Sequence, residues 1–575
     1  MQLIKDASAE KIRGAYYTPP IIASFINRWG TADNKCAEIL EPSCGDGVFL
    51  ECMRNDGTPF KSITAIEYEA AEAEKARHIQ LHDASVINGD FHHFCLSTDK
   101  RFDLIVGNPP YIRYQYYEDS QQKLADEIFR NATLKRTRLT NAWVTFVVGC
   151  CQLLASKGKL GMVLPSELLQ VKYAKQLRKY LSEFFNKITI ISFRSLVFEE
   201  IQQEVVILLC EKDGTSEHNI EHLELDDASG LSHLDVAKLK CPTKAIDFHT
   251  DKWTCYFLEK EELDFLNKIR LAEVPVLSSF ADVEVGITTG ANSYFTVPQS
   301  IVQSYQLEDY ACPMVGRSVQ VGSACFTESD WRKNVEMGAK AFLLVFPSDV
   351  KGKHNGVDAY LENGEAEGVN KGYKTSIRDF WYVIPSVRKS DALFLRRNNT
   401  YPKFVLNEVG AYTTDTMHRV YIHEGINRKA LVASYYNSLS FLFAEMYGRN
   451  FGGGCLELMP SEAGAICLPY REENAALFDT IDGMLRKNCD TDELLDITDE
   501  TILCRGLGLS KHEALLARSI WKKTMGRRLG RKPVVESHKE ERTAIAATQC
   551  RQLDFWDALL KCPNKTADTH KAFRL

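Results

Sequence analysis

Along roughly the first 245 residues, short apolar runs alternate with stretches whose apolar positions recur at helical spacing. The runs are AEILEP (37–42), SITAIEY (62–68), ASVING (84–89), DLIVGN (103–108), KLGMVLP (159–165), ITIISF (188–193) and EVVILLCE (204–211). Strands alternating with helices predict a doubly wound, parallel α/β sheet. Too little chain separates the last two runs for a helical crossover, so they are expected as an antiparallel pair at one end of the sheet. The longest apolar run, AWVTFVVGCCQLLA from Ala142, is shorter than the ~20 residues a bilayer span needs and predicts a buried helix.

After Glu211 the alternation weakens. From about Leu271 to Pro469 the chain turns to short strands, glycine turns and tryptophans, as in VGITTGANSYF, AFLLVFP and WYVIPSV, and from Arg471 helices dominate. These shifts predict a first domain over 1–245, a linker over 246–270, a second domain over 271–470 and a helical segment over 471–575. A chain of 575 residues is in any case too long for one core. The opening MQLIKDASAEKIRG lacks the apolar core of a signal peptide, and 17 cysteines without a CxxC pair fit reduced thiols. A cytoplasmic protein is expected. The net charge of −7 does not mark the whole chain as a nucleic-acid binder. Lys511 to Lys532, however, sets eight basic residues against the single acid Glu513, a run that suits either a solvated helix face or a row of phosphates.

Chemistry-bearing residues gather where the predicted strands end. AEILEPSCGDGVFL runs a strand through Gly45 and Gly47 into an apolar helix, and glycines there let the backbone turn tightly and approach a ligand. Their spacing is neither GxGxxG nor a P-loop, which argues against NAD and ATP. Glu67 ends the next strand, where a carboxylate can accept both hydroxyls of a ribose or simply open a helix. Asp90 and Phe91 end the third, offering an acceptor for an adenine amino group and a ring to pack on the base. His92 and His93 read as polar loop residues with no acid or cysteine at metal spacing, so no metal site is expected.

After the fourth strand, Asn108-Pro109-Pro110-Tyr111 must leave the sheet, because two prolines lack N–H donors and fix φ. The Asn108 side-chain oxygen and the Pro109 carbonyl can each accept one N–H of an exocyclic amine. That frees the nitrogen lone pair to aim at an electrophilic methyl group. Tyr111 offers a face for a base to stack on, and Pro110 stiffens the segment. Phe198, between the last two strands, can stack on the same base from the other side or serve as a core aromatic.

In this order, YTPP, LEPSCGDGVFL, IEYE, GDF, GNPPY and a Phe198 hairpin leading to EVVILL, residues 10 to 212 resemble the gamma class of DNA adenine-N6 methyltransferases of type II restriction–modification systems. Solitary enzymes also belong to that class. The resemblance implies a Rossmann-like S-adenosylmethionine-dependent methyltransferase sheet followed by a C-terminal mixed α+β target-recognition lobe. It implies that Thr18, Glu41, Glu67, Asp90, Phe91 and Phe146 contact S-adenosylmethionine beside the Gly45 turn. Asn108, Pro109 and Tyr111 would hold the target adenine, with Phe198 stacked on it. The implied partner is duplex DNA, with or without a separately encoded cognate restriction endonuclease, and no membrane.

A base inside a duplex must be rotated out to reach such a pocket, at a cost of a few kcal/mol. The lobe after Leu271 is therefore expected to grip DNA, with Arg317, Lys374, Arg378, Arg419 and Arg449 as candidate phosphate anchors. Other readings stay open. The same amine geometry serves methyltransferases of protein glutamine or of guanine N2 in RNA, although those resemble chains whose extra domain precedes the sheet. A DNA-binding defence-complex subunit that needs a partner for activity is another. No acid pair with a nearby strand lysine suggests a fused nuclease, so methylation without cleavage is expected.

Overall fold

The computed structural model describes residues 17–112, 118–135, 137, 140–195, 197, 204–212, 214–236, 243–246, 252–451 and 454–530. Up to Lys532 the chain forms one compact unit, within which the boundaries drawn from sequence fall. The described chain begins with α1 (Pro20–Thr31), started by a proline at its first position, where the missing N–H costs nothing. Its inner face, Ile22, Phe25, Ile26 and Trp29, is buried on the central sheet.

That sheet has nine strands: β1 (Glu38–Glu41), β2 (Ser62–Glu67), β3 (Ala84–Asn88), β4 (Phe102–Gly107), β5 (Leu154–Pro165), β6 (Lys187–Phe193), β7 (Val205–Glu211), β8 (Asn219–Leu225) and β9 (Thr243–Ala245). Their order is β3-β2-β1-β4-β5-β7-β6-β8-β9. The first five pair in parallel, and β7 runs antiparallel to both β5 and β6. The expected antiparallel pair is present, but it does not end the sheet. β8 joins β6 in parallel, and β9 continues beyond it.

Between β1 and β4 the winding reverses, with Ile39 opposite Leu104 and Leu40 opposite Ile105. This is the switch point where the loops leaving two adjacent strands diverge and open a crevice. Helices α2 (Val48–Asp56), α3 (Ala70–His78), α4 (Phe91–Ser97), α5 (Asp119–Asn131) and α6 (Ala142–Leu153) follow or flank these strands. The apolar run at Ala142 is α6, buried on nearly every side. No helix among the described residues is long and apolar enough to cross a membrane.

The later half holds a five-stranded sheet, a four-stranded sheet and a three-stranded one, flanked by the buried helices Arg428–Tyr435 and Ser438–Tyr447. The C-terminal helix Lys511–Gly530 corrects the reading of the basic run as either a solvated face or a phosphate row. Arg518 pairs with Asp496 and Asp499, Lys522 with Asp492, Lys523 with Glu262, Arg527 with Glu224, and Arg528 with Glu445. Arg531 and Lys532 lie outside the described residues.

Candidate active site

Among the described candidate residues, Glu41, Glu67, Asp90 and Asn108 lie at the carboxyl edge of the sheet around the β1/β4 switch point. Beyond β1 the chain turns through Gly45 at φ +54° and Gly47 at φ +95°, both in the left-handed region that favours glycine. A Cβ on Gly47 would also stand 2.4 Å from Ile79 Cδ1 and 3.1 Å from Ala76 Cα, so a side chain there would have to push both neighbours aside. The Cys44 amide donates to the Ile66 carbonyl, 2.9 Å, and fastens the turn to β2.

Glu67, at the end of β2, is held in place by that turn. Its Oε2 accepts from the Gly45 amide at 2.8 Å and its Oε1 from the Glu69 amide at 2.9 Å. Burial raises its carboxyl above the usual range, against the pull of these amides. Both oxygens keep a lone pair for further donors. Glu41 is buried at the end of β1, and its Oε2 has no hydrogen-bond partner among the described residues. Burial first, then the charges of Glu67 and Asp46, push its carboxyl well above the usual range. A buried acceptor of that kind fits a cationic group of a bound ligand.

Asp90 caps α4. Its Oδ1 accepts from the amides of His92 (2.7 Å) and His93 (3.2 Å), and its Oδ2 accepts from Gln121 Nε2 of α5 at 3.0 Å. Burial works against its charge, yet the hydrogen bond and charge of His92, the Gln121 amide and the His93 amide outweigh it and hold the carboxyl low. His92 is thus not a loop residue but a buried member of the first turn of α4, with Nδ1 3.2 Å from Asp90. Phe91 stacks on Phe146 of α6 with ring centroids 4.8 Å apart. Thr18 is buried beside an open depression that Asp46 and Val48 also line.

The Asn108–Tyr111 segment leaves β4 directly against the first loop. Gly107 lies so close that a Cβ would meet Pro42 at 3.3 Å, and Ser43 Oγ donates to the Asn108 carbonyl at 3.2 Å. The Tyr111 hydroxyl donates to the Val163 carbonyl near the end of β5, 3.2 Å, fixing the ring's direction. One residue on, the Ile112 carbonyl accepts from the Ala142 amide at 2.8 Å and ties the segment to the start of α6. Pro109 is buried and Pro110 half-buried. Phe198 lies outside the described residues. Between β6 and β7 a small cavity is lined by Ser166, Leu169, Ser192, Glu204 and Val206.

Sequence reasoning missed Ser43, Gln121 and the buried His92. Serine beside glycines reads as turn chemistry, and the contact between Gln121 and Asp90 spans 31 residues that no local pattern reports. Of the five candidate anchors, three are engaged within the fold. Arg378 donates to the carbonyls of Thr288 and Thr289, Arg419 pairs with Glu284 and donates to the Val285 and Ser386 carbonyls, and Arg449 pairs with Glu462. Arg317 and Lys374 are exposed.

Two family models match. The Eco57I restriction-modification methylase model covers residues 50–198, and that of the C-terminal domain of the type II methyltransferase M.Eco57I covers residues 250–503. The type II methyltransferase M.AccI of Acinetobacter calcoaceticus is 23% identical over 470 residues, 78% of this chain and 83% of that protein. M.HincII of Haemophilus influenzae is 30% identical over 239 residues, 41% of this chain and 44% of that protein. Among solved structures, the type IIL restriction–modification enzyme MmeI, determined in complex with DNA, superposes with a TM-score of 0.54 at 12% identity, over 92% of this chain and 78% of that one. The nine-stranded sheet is accordingly a Rossmann-like methyltransferase sheet. With a methylase model over part of that sheet and a methyltransferase C-terminal model over the lobe behind it, the chain is similar in both parts to type II restriction–modification methyltransferases.

Proposed function

We propose that this protein is a site-specific DNA methyltransferase that transfers a methyl group from S-adenosylmethionine to the N6 amine of an adenine rotated out of duplex DNA. The observation that carries the reading is the junction at the β1/β4 switch point. The Asn108-Pro109 acceptor pair leaves β4 against Pro42 and Ser43, so the amine clamp and the cofactor cradle share one strand boundary.

The residues of the cradle fit the cofactor. Glu41 offers a buried carboxylate oxygen to a cationic group, Glu67 is fixed by two amides with lone pairs to spare for ribose hydroxyls, and Asp90 with Phe91 suits an adenine edge and face. Thr18 and Phe146 would line the same pocket. When bound, S-adenosylmethionine supplies the electrophilic methyl group. Asn108 and Pro109 accept the two N–H bonds of the target amine and orient its lone pair, which costs no reorganisation because the prolines fix the loop. Tyr111, its hydroxyl anchored on Val163, presents its ring as a platform for the base. Phe198 would cover the opposite face.

The test is methyl incorporation from labelled cofactor into duplex DNA, followed by nucleoside analysis. N6-methyladenine formed by the wild type and reduced about 10²–10³-fold in Asn108→Ala supports the reading, the scale being that of removing one preorganised polar group from a transition state. Label in cytosine, in RNA or in protein overturns it, as does equal activity in the variant.

A further inference from the structure

On the lobe, four chain segments that are distant in sequence are fastened together. Arg378 holds the loop 372–378 onto the turn 287–292 through the carbonyls of Thr288 (3.3 Å) and Thr289 (2.7 Å). At Gly290, with φ +83°, a Cβ would stand 3.1 Å from that of Lys374, so the two loops are in contact. The same turn is joined to residues 413–416 by the Ile287 amide donating to the Thr413 carbonyl at 2.8 Å and by Asn292 Nδ2 donating to Asp415 at 3.0 Å. Thr416 Oγ in turn donates to the Gly316 carbonyl, 3.0 Å, next to Arg317.

What these fastened loops hold out is unusual for an ordinary surface. Tyr373 is 84% exposed, Ile377 73% and Val319 84%. Single exposed apolar residues need no explanation, but three on loops braced against one another do. The exposed cations Arg317 and Lys374 stand beside them in sequence. In the loop 369–380, Lys371, Lys374 and Arg378 outnumber the one acid, Asp379. Three other acids of the lobe are engaged within the chain, Asp415 by Asn292, Glu284 by Arg419, and Glu365 by Lys351 and Trp381, while Asp379 is exposed.

We infer that this braced face is a duplex-DNA contact surface, on which Tyr373 and Ile377 enter a groove while Lys374 and Arg317 take the flanking phosphates. Apolar side chains framed by cations suit sugar edges and thymine methyl groups between two phosphate rows. A protein partner would be expected to bring its own acids to the cations and would leave no salt signature of released counterions. Bracing by Arg378 matters because a loop already fixed gives up little entropy on binding. The inference rests on the proposed DNA substrate and goes further by naming which surface grips it.

The experiment measures binding of a duplex carrying the methylated site by fluorescence anisotropy at several salt concentrations, with methyl transfer and thermal stability followed in parallel. Tyr373→Ala combined with Ile377→Ala is expected to weaken binding about tenfold or more with the salt slope unchanged. Tyr373→Phe is expected to bind as the wild type does. Arg317→Ala combined with Lys374→Ala is expected to reduce the slope of log K against log salt by about two, close to one per phosphate contact. These side chains are exposed, so unfolding is not the expected cause, and an unchanged melting temperature checks this. Wild-type affinity and salt slope in both double variants, with duplex methylation by the parent intact, overturn the inference and leave the proposed function standing. Failure of the parent protein to bind or methylate any duplex overturns both.

Discussion

Replacing Glu41 by glutamine separates two contributions of one carboxyl group that have opposite signs. Glu41 is 2% exposed, its Oε2 has no partner among the described residues, and burial with the charges of Glu67 and Asp46 raises its pKa. A carboxyl whose pKa is higher folded than unfolded contributes stability that is fully present below the unfolded value, about 4.3, and is lost as pH rises towards the folded value. The loss amounts to at most about 1.4 kcal/mol per pH unit inside that window. For a cooperative unit of this size the unfolding entropy is about 1 kcal/mol/K, so the melting temperature should fall by about 1 °C per pH unit. Glutamine does not titrate. Glu41→Gln is therefore expected to melt above the parent near pH 7 without cofactor, and to show no such difference near pH 4.

Cofactor binding should move the other way. A hydrogen bond to a charged group contributes about 1.5–3 kcal/mol, so losing the carboxylate should weaken S-adenosylmethionine binding about 10- to 150-fold. Differential scanning calorimetry across pH 4–8 and titration calorimetry with the cofactor read the two effects separately. An unchanged dissociation constant would show that Glu41 does not face a cationic group of the ligand. A lower melting temperature in the variant would show that the carboxylate is paired in the folded protein, and the reasoning from its buried oxygen would fail.

Two further outcomes follow from single contacts. Tyr111→Phe keeps the ring and loses the 3.2 Å bond to Val163, so kcat/KM should stay within about threefold, whereas Tyr111→Ala should lower it about 5- to 150-fold by removing a stacking face, with cofactor affinity unchanged in both. Arg528→Met leaves Glu445 buried without its two bonds of 2.7 and 2.9 Å, costing about 3–5 kcal/mol and lowering the melting temperature by about 3–5 °C. Adding Glu445→Leu should recover most of that loss in the same calorimetric scan, since the uncompensated charge is then gone.

The parallel half of the sheet is legible in sequence because strands covered on both faces read as continuous apolar runs. The run 62–68 is the strand Ser62–Glu67 and the run 103–108 is Phe102–Gly107, each buried along most of its length. β8 escapes because NIEHLEL carries Glu221, His222 and Glu224 along its length and reads as polar surface. Its charges find partners far away in sequence. Glu221 accepts from Thr189 and Thr243, His222 lies 2.8 Å from Ser192 Oγ, and Glu224 meets Arg527. The basic run was ambiguous for the same reason. Counting charge along the chain cannot see that Glu262 and Glu224 lie 261 and 303 residues from the lysine and arginine they bind. At the candidate site, the strand ends carrying Glu41, Glu67, Asp90 and Asn108 are legible because topology alone brings them to one edge. Gln121 and Ser43 are not, because each acts through a contact made only after the loops have folded onto one another.

Those long-range ion pairs also bear on where the energy for extracting a base can come from. Adjacent residues of the C-terminal helix grip the two halves of the chain. Arg527 donates to Glu224 of β8 and to Ser192 Oγ at 2.7 Å near the carboxyl end of β6, with its guanidinium 3.2 Å from the Phe257 ring centroid. Arg528 makes its buried bidentate pair with Glu445 of the helix Ser438–Tyr447. A further link joins Gln170, just beyond β5, to the Asn450 backbone, its Oε1 accepting from the Asn450 amide at 3.2 Å. Separating sheet from lobe would break the Arg527–Glu224 pair and the Gln170–Asn450 bond, and would expose the face of Phe257 that Arg527 covers. A hinge between these two parts would have to undo these links while the base rotates. The contacts that repay it are better sought on surface loops already braced in place, as Tyr373 and Ile377 are by Arg378, than in closure of one half of the molecule upon the other.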